Sequence, residues 1–388
     1  MELLDKVVEC LSKMVKKPDL YVAKYPTGLD DKMSDFEKSV LLQQPQSGKP
    51  QIVGITGLGG VGKSTLAKHF FNKKKSDYPK SCFLSDIKYG SLTLLQTQLL
   101  KDLARIDKPI YSVDEGKRML IEHLKPSKSL TRSHNPVEGV DAAKEMPTKH
   151  LESSKALIVL DDVDHEDQVR AFLPFEALDF LAGSLILITS RNKDVLITAR
   201  VAIPSIYMLS GLNTEYSREL FCSHAFNQAY PPQVFQDLTD RFVKYCNGLP
   251  LSLKVIGAHL YGKKEISKWE DELGSLPSEV KGRLKISYDA LDPQEQQIFL
   301  DIACFLSGQN RDTAINIWNE SGWKGRRGFQ NLQDRCLVEV DSSNLIHMHH
   351  HLRDLGKEIG EKTSPFRLWR WTEDVIDYLW QHPSVSVQ

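Results

Sequence analysis

The sequence predicts an α/β domain built on a parallel five-stranded sheet, followed by an α-helical bundle and a winged-helix domain. Three observations predict it. Five short apolar runs, residues 52–56, 82–87, 156–160, 185–189 and 206–209, recur between helical patterns, as strands buried on both faces of a parallel sheet do. A glycine-rich loop, Gly57-Leu58-Gly59-Gly60-Val61-Gly62-Lys63-Ser64-Thr65, directly follows the first run. Beyond about residue 210 the strand pattern stops, and helical patterns continue up to a single hairpin.

The glycine loop is a complete G-x-x-x-x-G-K-[ST] phosphate loop, so the first domain reads as a P-loop NTPase. A buried strand ends, the chain turns, and a helix starts near Gly62. Backbone N–H groups in such a turn point at phosphate oxygens, and the helix N-terminus adds partial positive charge. Gly57, Gly59, Gly60 and Gly62 allow close approach of the backbone, with Val61 among them. Lys63 is placed to reach the β- and γ-phosphates, and the Ser64 hydroxyl to sit on Mg²⁺; Thr65 completes the motif.

An acidic partner is expected on a neighbouring strand. Ala156-Leu157-Ile158-Val159-Leu160-Asp161-Asp162 supplies it, four or five apolar residues running into two carboxylates. Asp161 is the expected holder of Mg²⁺, through water. Asp162 is the expected group that polarises the attacking water or acts as general base. A helix N-cap after a buried strand is the plainer explanation of the same aspartates. The run at 185–189 ends in Ser190-Arg191, placing an arginine at the carboxyl edge of the sheet, where ligands of such sheets bind. Arg191 could sense a γ-phosphate; an ordinary surface arginine is the alternative.

The remaining elements follow in order. Residues 1–20 carry an amphipathic helical pattern, residues 21–30 an extended entry segment, and Met33 to Leu42 a second short helix. Residues 43–50 are a polar linker. Residues 126–154, with Pro126, Pro136 and Pro147 and no periodicity, read as a mobile insertion loop, a docking loop being the alternative. Residues 213–275 read as short helices broken at Pro231-Pro232 and Gly248-Leu249-Pro250. Further helices are expected at 283–291, 294–305, 313–321 and 328–336, then a hairpin of 337–340 and 345–348 around the turn 341–344. Three helices and a hairpin make a winged helix. The domains expected are thus an N-terminal helix and linker (1–25), the nucleotide-binding domain (26–209), a helical domain (210–278) and the winged helix with an extension (279–388).

In this order the motifs resemble the NB-ARC module of plant intracellular immune receptors, relatives of the apoptotic protease-activating ATPases. The resemblance runs from about Tyr21 to residue 380. It rests on Gly57–Thr65; Phe83-Leu84-Ser85-Asp86; Leu160-Asp161-Asp162-Val163-Asp164; Ile188-Thr189-Ser190-Arg191; Gly248-Leu249-Pro250-Leu251; and Met348-His349-His350. Asp164, where a related class has Trp, looks like the TIR-linked class, as do Val22-Ala23-Lys24-Tyr25-Pro26 and Arg367-Leu368-Trp369-Arg370.

The resemblance implies an ADP/ATP-dependent switch of plant innate immunity. ADP with Mg²⁺ holds it closed, ATP exchange opens it for oligomerisation, and slow hydrolysis resets it. It implies that Pro250 packs on the adenine, Gly28 and Leu29 lie near the base, His349 contacts the ADP β-phosphate, and Arg191 is the sensor arginine. It also implies a homo-oligomer on activation and TIR- or LRR-bearing receptors as partners. The family's Met-His-Asp reads Met348-His349-His350 here, and His350 cannot supply the carboxylate charge, so a weaker closed state with faster ADP release is expected.

Composition narrows the alternatives. A formal net charge of −1 with 26% charged residues provides no global field for nucleic acid or an acidic membrane. No apolar run approaches eighteen residues, so a cytoplasmic protein is expected, with nuclear entry open. Six scattered cysteines without C-x-x-C read as buried reduced thiols. His347, His349, His350 and His351 invite a metal reading, but a strand would turn alternate residues to opposite faces, and no cysteine or carboxylate set completes a site. A DNA-binding ATPase regulator needs a basic recognition helix; Arg326, Arg327 and Arg335 stand beside Asp334. A turnover kinase or NTPase needs an acceptor pocket and a lid, and the sequence carries neither pattern.

Overall fold

The computed structural model describes residues 18–41, 49–124, 155–174, 183–274, 280–341 and 343–363. The expected helix at 1–20 therefore falls almost wholly outside the described residues, as do residues 43–48 of the linker expected at 43–50, the insertion at 126–154 and the segment beyond 363. Residues 18–20 are not helical.

Five strands form one sheet: β1 (Gln51–Thr56), β2 (Lys80–Leu84), β3 (Ala156–Val163), β4 (Leu185–Ser190) and β5 (Ile206–Met208), in the order β2-β3-β4-β1-β5. β2 pairs with β3 in parallel, Cys82 opposite Ile158, and β1 pairs with β5 in parallel, Gly54 opposite Ile206. β3 and β4 are buried along their whole length, which explains why both read as uninterrupted apolar runs and not as alternating ones.

The chain divides into two compact units, residues 1–23, 41–53 and 64–189, and residues 24–40, 54–63 and 190–388. In the first, helices α2 (Lys63–Lys74), α3 (Leu92–Ala104), α4 (Val113–Leu124) and α5 (Glu166–Phe172) accompany the strands; α2 begins at Lys63, one residue before the 64–189 segment of this unit. The side chain of Asn72 on α2 closes a two-way hydrogen-bond pair with the backbone of Leu20 (2.9 and 2.8 Å). Asp19 reaches Lys75 at 2.9 Å.

The second unit begins with α1 (Leu29–Phe36), continued by one π-helical turn over Glu37–Leu41. It continues through α6 (Lys193–Thr198), α7 (Thr214–Phe226), α8 (Gln236–Cys246), α9 (Pro250–Leu260) and α10 (Ile266–Gly274). The last four bury a shared core. Trp269 lies fully buried among Phe221, Phe226, Phe235 and Phe242, its Nε1–H donating to the Lys263 carbonyl at 2.9 Å. Breaks fall where the sequence placed them. Asn247 and Gly248 take positive φ after α8, and Pro250 opens α9 at the first helical position, where a missing N–H costs nothing.

A second core joins α9 to the C-terminal elements: α11 (Val280–Asp289), α12 (Pro293–Asp301) with a π-turn over Ile302–Leu306, α13 (Arg311–Glu320), α14 (Gly325–Asp334) and α15 (His350–Thr363). Between α14 and α15 runs the antiparallel hairpin β6 (Glu339–Val340) and β7 (Ile346–His347). It is two residues per strand, shorter than expected. α12 starts on a reciprocal capping box, Asp292 accepting from the Glu295 N–H and Glu295 from the Asp292 N–H.

Candidate functional site

The phosphate loop grows out of β1. Gly57 has φ 151°, and a Cβ there would stand 2.6 Å from the Leu209 carbonyl oxygen. Leu209 itself donates to Thr56 at 2.8 Å. Only glycine fits this close approach. Gly60, at φ 77°, lies against Leu251, whose N–H donates to the Gly60 carbonyl at 3.2 Å. Val61 is buried. Gly62 has φ 102° and open space where a Cβ would stand. Lys63 opens α2 and is buried, with Nζ donating to the carbonyls of Gly57 (2.9 Å) and Leu58 (3.0 Å). The sequence-predicted loop residues are thus together, and the one ammonium among them is held over the loop.

The carboxylates form a second group, within the first unit. Asp161 and Asp162 lie near the carboxyl end of β3, before Val163, and are buried. The Thr189 hydroxyl donates to the Asp161 carboxylate at 2.6 Å and accepts from the Asp162 N–H at 2.9 Å. The Ser64 side chain also hydrogen-bonds Asp161. Burial pushes the Asp161 carboxyl up to about 6; the Thr189 hydrogen bond opposes this, Asp86 adds to it, and Lys68 and the Ser64 hydroxyl oppose it. Asp162 adopts φ 56°, rare for a residue with a side chain. Neither aspartate is an N-cap: the next helix, α5, is capped by His165, whose Nδ1 accepts from the Asp167 N–H.

The third group lies in the second unit. Arg191 pairs with Asp354 of α15 at 3.5 Å. His349 N-caps α15, its Nδ1 accepting from the His351 N–H at 3.3 Å. An Nδ1 that accepts carries no proton, which leaves Nε2–H as the donor. Loss of hydration, together with the charges of Lys254, Arg191 and Lys63 and the neighbouring His351 ring, lowers the His349 pKa well below its usual value. The ring is a neutral donor. Pro250 is half-buried at the start of α9. Gly28 caps α1 in the left-handed conformation, and a Cβ on it would stand 2.8 Å from the Tyr216 ring. Leu29 follows as the first residue of α1, half-buried.

Three neighbours of these candidate residues were not legible in the sequence. Thr189 lies inside a quoted motif but carries no sequence sign of its role. Asp354 and His351 sit on a helix the sequence reading did not assign. The histidine run is corrected accordingly: only His347 is on a strand, where it meets Asp341 at 2.8 Å, while His350 and His351 begin α15. Among the described residues no group of His, Cys, Asp or Glu is arranged to hold a metal ion. Of the cysteines, Cys82, Cys222 and Cys246 are buried, whereas Cys304 and Cys336 are only partly so. No described helix is long and apolar enough to cross a membrane.

This combination, a parallel sheet with a phosphate loop, a pair of aspartates on the neighbouring strand and a C-terminal winged helix, defines a P-loop NTPase fold joined to a winged-helix domain. Residues 35–230 match the NB-ARC domain, and residues 292–364 match the winged-helix domain of Roq1-like disease resistance proteins. The chain belongs to the NB-ARC family. It is 34% identical over 380 residues to the disease resistance protein RPV1 of Vitis rotundifolia, covering 95% of this chain and 25% of that protein. It is 31% identical over 383 residues to the TMV resistance protein N of Nicotiana glutinosa, covering 94% of this chain and 30% of that protein. The chain therefore spans between a quarter and a third of the length of these relatives. Among solved structures, the Aeropyrum pernix ORC2 protein, described as ADPNP-ADP complexes, aligns over 90% of this chain and 97% of its own, with 13% identity and a TM-score of 0.39.

Proposed function

We propose that this chain is an ADP/ATP-dependent switch in plant defence signalling. The observation that carries the proposal is that Lys63 and Arg191, far apart in sequence, both act electrostatically on His349, which is held as a neutral Nε2–H donor. Two fixed cations and a neutral donor suit a diphosphate group. A nucleotide that touches both the glycine loop and the residue capping α15 makes different contacts when α15 moves, which is what a two-state switch requires.

In this reading Gly57 to Thr65 cradle the phosphates, Lys63 neutralises them, and Arg191 reports the γ-phosphate. Pro250, Gly28 and Leu29 border the base. Ser64 and Asp161 are hard oxygen donors already hydrogen-bonded to one another, a pairing that fits Mg²⁺. When bound, that ion supplies charge neutralisation at the β- and γ-phosphates. Asp162 orients water, and hydrolysis is slow, below about one turnover per second. ATP exchange opens the module for self-association, with TIR- or LRR-bearing receptors as partners in the cytoplasm or nucleus.

The reading predicts that purified protein elutes as a monomer with ADP and as a larger species with ATP, and that Lys63→Arg abolishes both nucleotide binding and the size change. Light scattering coupled to gel filtration decides it. A particle size indifferent to nucleotide would end the switch reading, even if ATP binds.

A further inference from the structure

His351 is a second imidazole at the phosphate loop. A Cβ on Gly59 would stand 1.8 Å from its Nε2, so the ring lies directly on the loop, and it hydrogen-bonds the Gly59 backbone in a way that favours the protonated ring. An interaction of that sign is an imidazole N–H donating to a carbonyl. The ring is half-buried, and its centroid lies 5.7 Å from that of His349.

The two rings are held differently. His349 spends its Nδ1 on the helix cap and is fixed as a neutral donor. His351 has no cap to serve. Facing it are Lys63 from the loop, Arg191 from the end of β4, His349 from the preceding turn and Asp354 one turn along its own helix. The charged groups of the helix packed behind α15 are engaged elsewhere, Glu295 with Asn331 and Asp301 with Trp318. Lys285 on α11 pairs with Asp289. Two cations and one carboxylate act on the ring, and with burial they keep its pKa below the usual value. A polyanion arriving at the same loop reverses that balance.

We propose that His351 is a second phosphate-facing imidazole of this chain, and that it takes up a proton when a nucleoside diphosphate binds. The proposal rests on the nucleotide-binding reading above. The proton comes from solvent, adds to the imidazole, and leaves on ADP release. ADP retention thereby depends on pH, tightening as pH falls from about 8 to about 6.

Calorimetry of ADP binding to the full chain, with EDTA to exclude metal, tests this. It is run at pH 6, 7 and 8 in buffers of different ionisation enthalpy, which counts protons bound. The parent is expected to take up a fraction of a proton approaching one near pH 6.5. His351→Gln is expected to lose that uptake and to bind about five- to tenfold more weakly at pH 6 but equally at pH 8. His351→Leu, which keeps the helix and fills similar space, must behave alike, so one folded variant is enough. Proton uptake unchanged in either variant overturns the proposal. Lys63→Arg separates the two claims: if it binds ADP like the parent, the nucleotide reading fails; if it does not bind and the His351 variants match the parent, only the role of His351 fails.

Discussion

The Thr189 hydroxyl donates a 2.6 Å hydrogen bond to the Asp161 carboxylate, between the adjacent interior strands β4 and β3, where both residues are buried. The same oxygen accepts from the Asp162 N–H. One side chain thus orients one aspartate and positions the backbone of the next. Thr189→Val removes both bonds while keeping shape. It is expected to cost about 1–3 kcal/mol in urea unfolding and to weaken Mg²⁺-dependent ATP binding. Thr189→Ser should retain most of both. Equal stability for the valine variant and the parent would mean that the hydroxyl does not hold the aspartates.

Asp161 gives the metal-free protein a signed pH dependence. Its folded pKa, about 6, lies above the unfolded value of about 3.9. The folded state therefore binds the proton more tightly, and that contribution is fully present below about pH 4 and lost as pH rises through about 6. The full swing is about 3 kcal/mol. Asp161→Asn should flatten the stability profile between pH 4 and 7 in EDTA. A profile parallel to that of the parent would contradict the burial argument.

Arg191 and Asp354 pair at 3.5 Å, with both side chains partly exposed. Such a pair contributes less than about 1 kcal/mol to stability, so its two halves should differ only in binding. Arg191→Gln is expected to weaken ATP binding about tenfold with little change in melting temperature. Asp354→Asn should leave stability equally unaffected. Arg191→Gln binding ATP as the parent does would remove the sensor role.

Gly28 combines a left-handed φ of 68° with a close approach to Tyr216. Gly28→Ala is expected to cost about 1–2 kcal/mol from backbone strain, plus the clash with the ring. Tyr216→Ala in the same background should recover only the clash. A Gly28→Ala variant as stable as the parent would indicate that the turn relaxes freely.

Most of the fold was legible because its signals are local. The runs at 52–56, 156–160 and 185–189 are buried on both faces and therefore uninterrupted. The run at 82–87 was read three residues too far, and the reason is physical. β2 stops at Leu84, Asp86 turns at φ 51°, and the ladder continues through Ile87 N–H to Asp161 and Lys88 N–H to Asp162. The strand's hydrogen bonds and one further buried apolar residue, Ile87, persist beyond the regular strand. The π-turns at 37–41 and 302–306 left no sign, because one extra residue in a helix barely alters periodicity. α15 was missed because it opens on two histidines, His350 and His351, and not on an apolar face. The glycine loop, Asp161 and Arg191 lie in motifs of fixed spacing, so the sequence alone singles them out as candidates. Thr189, His351 and Asp354 could not, since their roles come from long-range contacts that no local pattern encodes.

The most direct measurement is chromatography of the nucleotide released when the purified protein is denatured, beside the Lys63→Arg variant. The account predicts ADP near one per chain from the parent and little from the variant. A parent that carries no nucleotide, and binds no added ADP or ATP, would contradict it.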